Sequence, residues 1–298
     1  MSDMHERAGW LRRDAEHISG PLPPLLVEAE RLAATLLHGV HGRRRAGIGE
    51  TFWQYRAAQP GDPLSLIDWR RSARSDRLYV RELEWEAAES AVIWCDDAQS
   101  MDFKSAGVER TKADRAKLLS LSLAVLLTRG GERIGLLGSE AERPTTGEGQ
   151  LQRIAAVLSI DKPDRPDFGA PPKAALPRAG KAIFFSDFMG KRADVFPALE
   201  YAAGQGIRGA YVQILDPSEE VFPFGGRTLF LSMTGETRYE TDQAASLREA
   251  YLARLAERRD DLARVARRAG WELIIHRTDE SPRKALLQLF NLVSGGRM

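Results

Sequence analysis

The sequence predicts an α/β fold: a mainly parallel sheet covered by helices on both faces, with a small N-terminal module made of one helix and extended segments. Three observations carry this reading. From Ala87 onward, short apolar runs alternate with longer amphipathic ones, which is the pattern of repeated strand–helix units and a parallel sheet. Two of the short runs, 91–95 and 181–186, are apolar through their centres rather than alternating, as strands buried on both faces are. The 298 residues are 43% hydrophobic and 29% charged, with 43 Lys+Arg against 42 Asp+Glu. That is enough chain to bury a sizeable core, with no charge excess to keep it open.

Taken in order, residues 1–20 are charged and unpatterned, and the proline-rich run 20–24 is a stiff break. Residues 25–40 place Leu26, Ala29, Ala33, Leu36, Leu37 and Val40 at helical spacing, so an amphipathic helix is expected there. The glycine-flanked Arg43, Arg44 and Arg45 end it. Over 51–86 the composition changes: Trp53, Tyr55, Trp69, Tyr79 and Trp85 crowd together, and 59–63 reads as a turn. Residues 78–86 alternate apolar and charged, with a slip between Val80 and Leu83 that predicts a strand containing a bulge. These segments form the N-terminal module, 1–86.

The α/β domain is expected over 87–298. Strand 91–95 ends at Asp96, and a helix over 109–129 is stopped by Gly130 and Gly131. Strand 133–138 and helix 150–158 follow, then a proline-rich connection over 161–180. Strand 181–186 ends at Asp187. A helix near 193–203, a strand over 208–215, a hairpin over 228–239, a charged helix over 244–269, a strand over 271–276 and a helix over 283–292 complete the chain.

Several function classes fall away on composition. A single cysteine, Cys95, excludes an intramolecular disulfide framework and a cysteine-based zinc site. The five histidines show no ligand spacing beyond His38 and His41, which straddle a helix end. No Gly-x-Ser-x-Gly elbow, P-loop or dinucleotide fingerprint is present. The longest apolar run, 118–128, contains Ser120 and Ser122 and is flanked by Lys117 and Arg129, short of a bilayer span. With no apolar leader at the N-terminus, a soluble cytoplasmic protein is expected.

Ligands of open α/β sheets sit beyond the carboxyl ends of the strands. Asp96 and Asp187 stand at two such ends, and with Ser100 they make an oxygen set suited to Mg²⁺. The same residues also suit the N-caps of the following helices. Asp97 is expected to point away from any shared site.

Residues 95–101, Cys-Asp-Asp-Ala-Gln-Ser-Met, resemble the Asp-x-Ser-x-Ser-Met strand-end motif of von Willebrand factor A domains, and Ser186-Asp187-Phe188 resembles their later aspartate. Upstream, Tyr55-Arg56, Pro60-Gly61-Asp62 and the Ile67–Arg74 block resemble the signature of domain-of-unknown-function family 58. These are von Willebrand A-like proteins associated with MoxR-type AAA ATPases. The resemblance implies a Rossmann-like von Willebrand factor A-type domain and a metal-ion-dependent adhesion site, in which bound Mg²⁺ accepts a partner carboxylate. Asp96, Ser100 and Asp187 stand at matching metal positions. Ala98 replaces the first serine, and no threonine occurs between Ser159 and Ala182, so two hydroxyl ligands are missing. A degenerate site holding Mg²⁺ weakly or not at all is therefore expected, with Asp161, Asp164 and Asp167 as substitutes if the connection folds inward.

The Arg/Trp-rich block has its own reading. Arg56, Asp62, Asp68, Trp69, Arg70 and Arg74 combine aromatic planes with alternating charge, suited to an Arg–Asp network (Arg56–Asp62, Asp68–Arg74) or to partner docking. The resemblance implies a non-enzymatic adaptor whose partner is a MoxR-type AAA ATPase acting on client proteins, without a membrane span. Its docking face would be the rim at Asp96, Ser100 and Asp187. The alternatives are a Mg²⁺-dependent phosphohydrolase or nuclease using Asp96, Asp97 and Asp187, and a nucleic-acid-binding module on the Arg/Trp segment.

Overall fold

The computed structural model describes residues 23–39, 52–59, 67–75, 77–83, 89–178 and 180–294. The predicted features at Arg43–Arg45, Pro60–Pro63 (with Asp62) and Trp85 lie outside the described residues. The chain divides into two compact units: Val40–Ala88, and the remainder.

The larger unit begins with α1 (Pro24–Gly39), the amphipathic helix read from the sequence. The smaller unit holds strand β1 (Phe52–Ala57), the single helical turn α2 (Trp69–Ser72) and strand β2 (Tyr79–Leu83). β1 and β2 pair antiparallel, Tyr55 opposite Arg81 and Ala57 opposite Tyr79. The register shifts between Phe52 and Gln54, so the extra residue lies in β1 and not between Val80 and Leu83. A bulge offsets both strands by one residue, and the alternation of one strand alone does not tell which carries it.

The larger unit continues with β3 (Ser90–Cys95), a 3₁₀ turn over Gln99–Asp102, α3 (Lys112–Arg129), β4 (Arg133–Leu136) and α4 (Glu148–Ser159). Then come β5 (Lys181–Ser186), α5 (Arg192–Ala203), β6 (Arg208–Leu215) and α6 (Pro217–Val221). The hairpin β7 (Thr228–Leu231) and β8 (Arg238–Thr241), α7 (Arg248–Ala269), β9 (Glu272–Arg277) and α8 (Pro282–Val293) complete it.

Five strands form one sheet in the order β4-β3-β5-β6-β9, every pair parallel. The period-two geometry of a strand sends neighbours to opposite faces. Ile93, Ile183, Phe185, Val212 and Ile214 enter one core with α1, α3, α4 and α8. Val92, Trp94, Phe184 and Tyr211 enter the other, with residues of α5 and α7 and with Trp271. This is the α/β arrangement predicted, a Rossmann-like parallel sheet covered by helices on both faces.

α3 is buried on nearly every side from Lys112 to Leu127. Its apolar run, the longest in the sequence, is the inner helix of a layered core and not a membrane span. Among the described residues no helix is long and apolar enough to cross a membrane. α1 supplies part of that cover: Leu26, Ala29, Ala33 and Leu36 join the same core, the two alanines allowing close approach of the helices. The sequence reading placed this helix in an N-terminal module over 1–86; its contacts join it to the α/β unit instead. An amphipathic pattern shows that a helix has a buried face, but not what buries it.

Candidate functional site

The carboxyl ends of β3 and β5 deliver Asp96 and Asp187, and the 3₁₀ turn delivers Ser100. All three are buried, at 2%, 1% and 6% exposure. The structure therefore brings the three predicted site residues together. Asp96 and Asp187 are close enough for each charge to act on the other, and Ser100 lies beside Asp187. Ser100 Oγ nevertheless makes no hydrogen bond of proper geometry.

Each carboxylate is already engaged. Asp96 Oδ1 accepts from the Ala98 amide at 2.9 Å and Oδ2 from Ser186 Oγ at 2.6 Å. Asp187 Oδ1 accepts from the Met189 amide at 2.8 Å, and Oδ2 from Lys112 Nζ at 2.8 Å. The Lys112 ammonium reaches on to Glu219 Oε1 at 2.7 Å, and lies 5.9 Å from the Phe103 ring centroid. Its three protons thus meet two carboxylates and an aromatic face. Lys112 itself is 1% exposed.

Local sequence explains why these groups converge. Thr111 and Asp114 form a capping box that starts α3, placing Lys112 in its first turn against the strand ends. Asp216 and Glu219 form a second capping box with Pro217 at the start of α6, which fixes Glu219. Asp216 also accepts from the Ser105 amide at 2.9 Å, tying α6 to the loop before α3. Sequence reasoning missed Lys112 and Glu219. The Asp-Pro-x-Glu cap was the available signal for Glu219; a lysine one residue past a helix cap carries none.

The proline-rich connection folds inward, but with its backbone. Pro166 O and Asp167 O accept from the Gln99 and Ser100 amides, at 2.9 and 2.8 Å. Gly169 packs so tightly on Asp96 that a Cβ there would lie 2.0 Å from Oδ1. Asp161 and Asp164 are exposed, and Asp167 meets the Thr234 amide of the hairpin tip at 3.3 Å. Asp97 points away from the site, paired with Lys162 at 2.5 Å. Because Asp96, Ser100 and Asp187 lie beneath this loop, they cannot themselves be the docking rim. Phe168, next to the Gly169 that packs on Asp96, is exposed on this loop.

The electrostatics follow from burial and pairing. Burial, then the charge of Asp187, raises the Asp96 carboxyl to about 7 against the bonds from Ser186 and Ala98. Burial also works to raise Asp187, but Lys112 outweighs it and holds the group below the usual carboxylate range. Glu219 is raised by burial, with Lys112 opposing. Lys112 is held above the usual lysine range, its two carboxylates overcoming burial.

This donor set does not fit Mg²⁺ as it stands. A Mg²⁺ on Asp187 Oδ2 at its usual distance of about 2.1 Å would lie no more than about 5 Å from Lys112 Nζ, itself 2.8 Å from that oxygen. A double against a single positive charge at that range repels by on the order of 6 kcal/mol at an effective dielectric of about 20. Among the described residues no group of three His, Cys, Asp or Glu side chains is arranged to hold a metal.

In the smaller unit, Asp68 caps α2 by accepting from the Arg71 amide at 2.9 Å. Trp69 is 58% exposed beside exposed Arg70 and Arg74. The Arg71 guanidinium lies 5.2 Å from the Tyr79 ring centroid. Arg56 belongs to β1, its side chain outside the described residues, as is Asp62.

The family described as "Protein of unknown function DUF58" matches residues 54–261. The chain is 26% identical over 278 residues to the uncharacterized proteins Rv1480 of Mycobacterium tuberculosis and Mb1516 of Mycobacterium bovis, covering 89% of this chain and 86% of each relative. Among solved structures, an aerotolerance-related membrane protein of Bacteroides fragilis aligns over 70% of this chain and 99% of its own, at 14% identity and a TM-score of 0.41. The conserved hypothetical protein BatB of Bacteroides thetaiotaomicron covers the same shares at 13% identity and a TM-score of 0.41.

Proposed function

From the premise that the chain belongs to the protein family of unknown function DUF58, we propose that it is a non-enzymatic interaction protein, a cytoplasmic adaptor for a MoxR-type AAA ATPase that remodels or activates client proteins. The sealing of the strand-end carboxylates carries this reading. A catalytic acid, base or nucleophile must come within hydrogen-bond reach of a substrate. Here Asp96 and Asp187 are 2% and 1% exposed, engaged on both oxygens and roofed by the 161–180 connection. What the chain offers a partner is surface: Trp69 and Arg70 on α2, and Phe168 on the loop over Asp96. Exposed Trp and Arg are the residue types most enriched where binding energy concentrates.

The test is co-elution of the purified full chain with the MoxR-type ATPase of the same organism, in ATP-analogue and ADP states. A complex is expected in at least one nucleotide state, with Trp69→Ala/Arg70→Glu weakening it by about tenfold or more. No complex in either state would sink the assignment of the partner. Turnover of a phosphoester by the purified chain, lost in Asp187→Asn, would sink the non-enzymatic reading.

A further inference from the structure

We propose that Lys112 is the resident counter-cation of Asp187: a lysine ammonium, supplied by the chain itself, takes the carboxylate that the resemblance would give to a divalent metal. Three observations support it. The ammonium lies at the carboxyl ends of the strands, bonded to Asp187, the residue at the metal position. It is fully used, with Asp187 Oδ2 at 2.8 Å, Glu219 Oε1 at 2.7 Å and the Phe103 ring on its remaining side. Glu219 has no counterpart among the metal-ligand positions of the motif; it serves the lysine. A surface ion pair would need none of this enclosure, whereas a buried ammonium is tolerated only when paired and hydrogen-bonded.

The substitution also accounts for the missing hydroxyl ligands. An ammonium takes three acceptors at hydrogen-bonding distance, whereas Mg²⁺ demands six oxygens at about 2.1 Å. With Lys112 in place, the hydroxyls absent at Ala98 and from the 161–180 connection have no cation to bind. The site is then metal-independent, and a partner cannot attach by lending a carboxylate to a bound metal. This inference concerns the site's own charge balance and holds whichever partner the surface meets.

The test compares the full chain with Lys112→Met, which keeps the side-chain volume and removes the charge. After chelation, thermal melts and refolding yields are measured with and without millimolar Mg²⁺ or Mn²⁺. The wild type is expected to be indifferent to both ions. Lys112→Met leaves Asp187 and Glu219 buried without a counter-charge, so its melting temperature should fall and then rise again with either ion. If the variant fails to fold alone, its refolding yield should become metal-dependent. Lys112→Met/Asp187→Asn, with the central carboxylate neutralised, should lose that response. Saturable metal binding by the wild type that Asp187→Asn abolishes would overturn the proposal. So would a Lys112→Met chain that neither ion stabilises or helps to refold, or an equal metal response in the double variant.

Discussion

Two buried side chains pull the protein's stability in opposite directions as pH changes. Asp96 is held at about 7 by burial and by Asp187, above its ordinary 3.8. Between those values the native chain keeps a proton that the unfolded chain has released. Its stabilising effect is therefore greatest at the acid end and lost as pH rises toward 7, by at most about 4 kcal/mol. His276, at 2% exposure and with Nε2 unpartnered, is lowered to about 4 by burial and by the neighbouring Arg115, Asp279 opposing. Here the native state lacks the proton, so stability present above 6.5 is lost as pH falls toward 4, by at most about 3 kcal/mol. Denaturant unfolding across pH 4–8 should show Asp96→Asn gaining on the wild type as pH rises, and His276→Gln gaining as pH falls. Curves that stay parallel to the wild type would refute both assignments. The aspartate was legible in the sequence because it ends an apolar strand. Its raised pKa was not, because that comes from Asp187, 91 positions away in the chain, and from the loop backbone laid over it.

At the scale of elements, the strands were the most legible part. Those over 181–186 and 208–215 have the boundaries their apolar runs predict, since a buried parallel strand is written as a continuous stretch. The short helices α2 and α6 were not foreseen, because a single capped turn is too brief to show a period. The partner of α1 was invisible for a different reason: amphipathicity records a buried face without naming its contact. That contact has a measurable weight. Leu26→Ala should cost about 2–4 kcal/mol, as deletion of a buried leucine side chain does. A chain starting at residue 87 should expose the side of α3 that α1 covers, and bind a hydrophobic dye that the full chain does not. Equal dye binding by both would mean that α1 is dispensable to the core.

For the molecule as a whole, Val40–Ala88 form a compact unit of their own, and among the described residues the two cores of the α/β unit are built from the rest of the chain. Replacing that segment by a flexible linker should therefore preserve the far-ultraviolet spectrum and a cooperative melt, while removing Trp69 and Arg70 from any partner. Loss of the cooperative transition would show that the segment contributes to folding and not only to docking. The strand-end site was half legible at this scale. Asp96, Ser100 and Asp187 follow from a motif and from the convergence of parallel strands, whereas Lys112 reaches Asp187 and Glu219 through bonds spanning 75 and 107 positions. That separation gives the buried ammonium a place in time as well as in space. α3 can form early from its own cap and apolar run, but Lys112 cannot leave water until β5 has brought Asp187 and α6 has brought Glu219. Its first turn must stay hydrated while the rest of the helix packs. Burial of the ammonium thus waits on β5 and α6, and not on α3 alone.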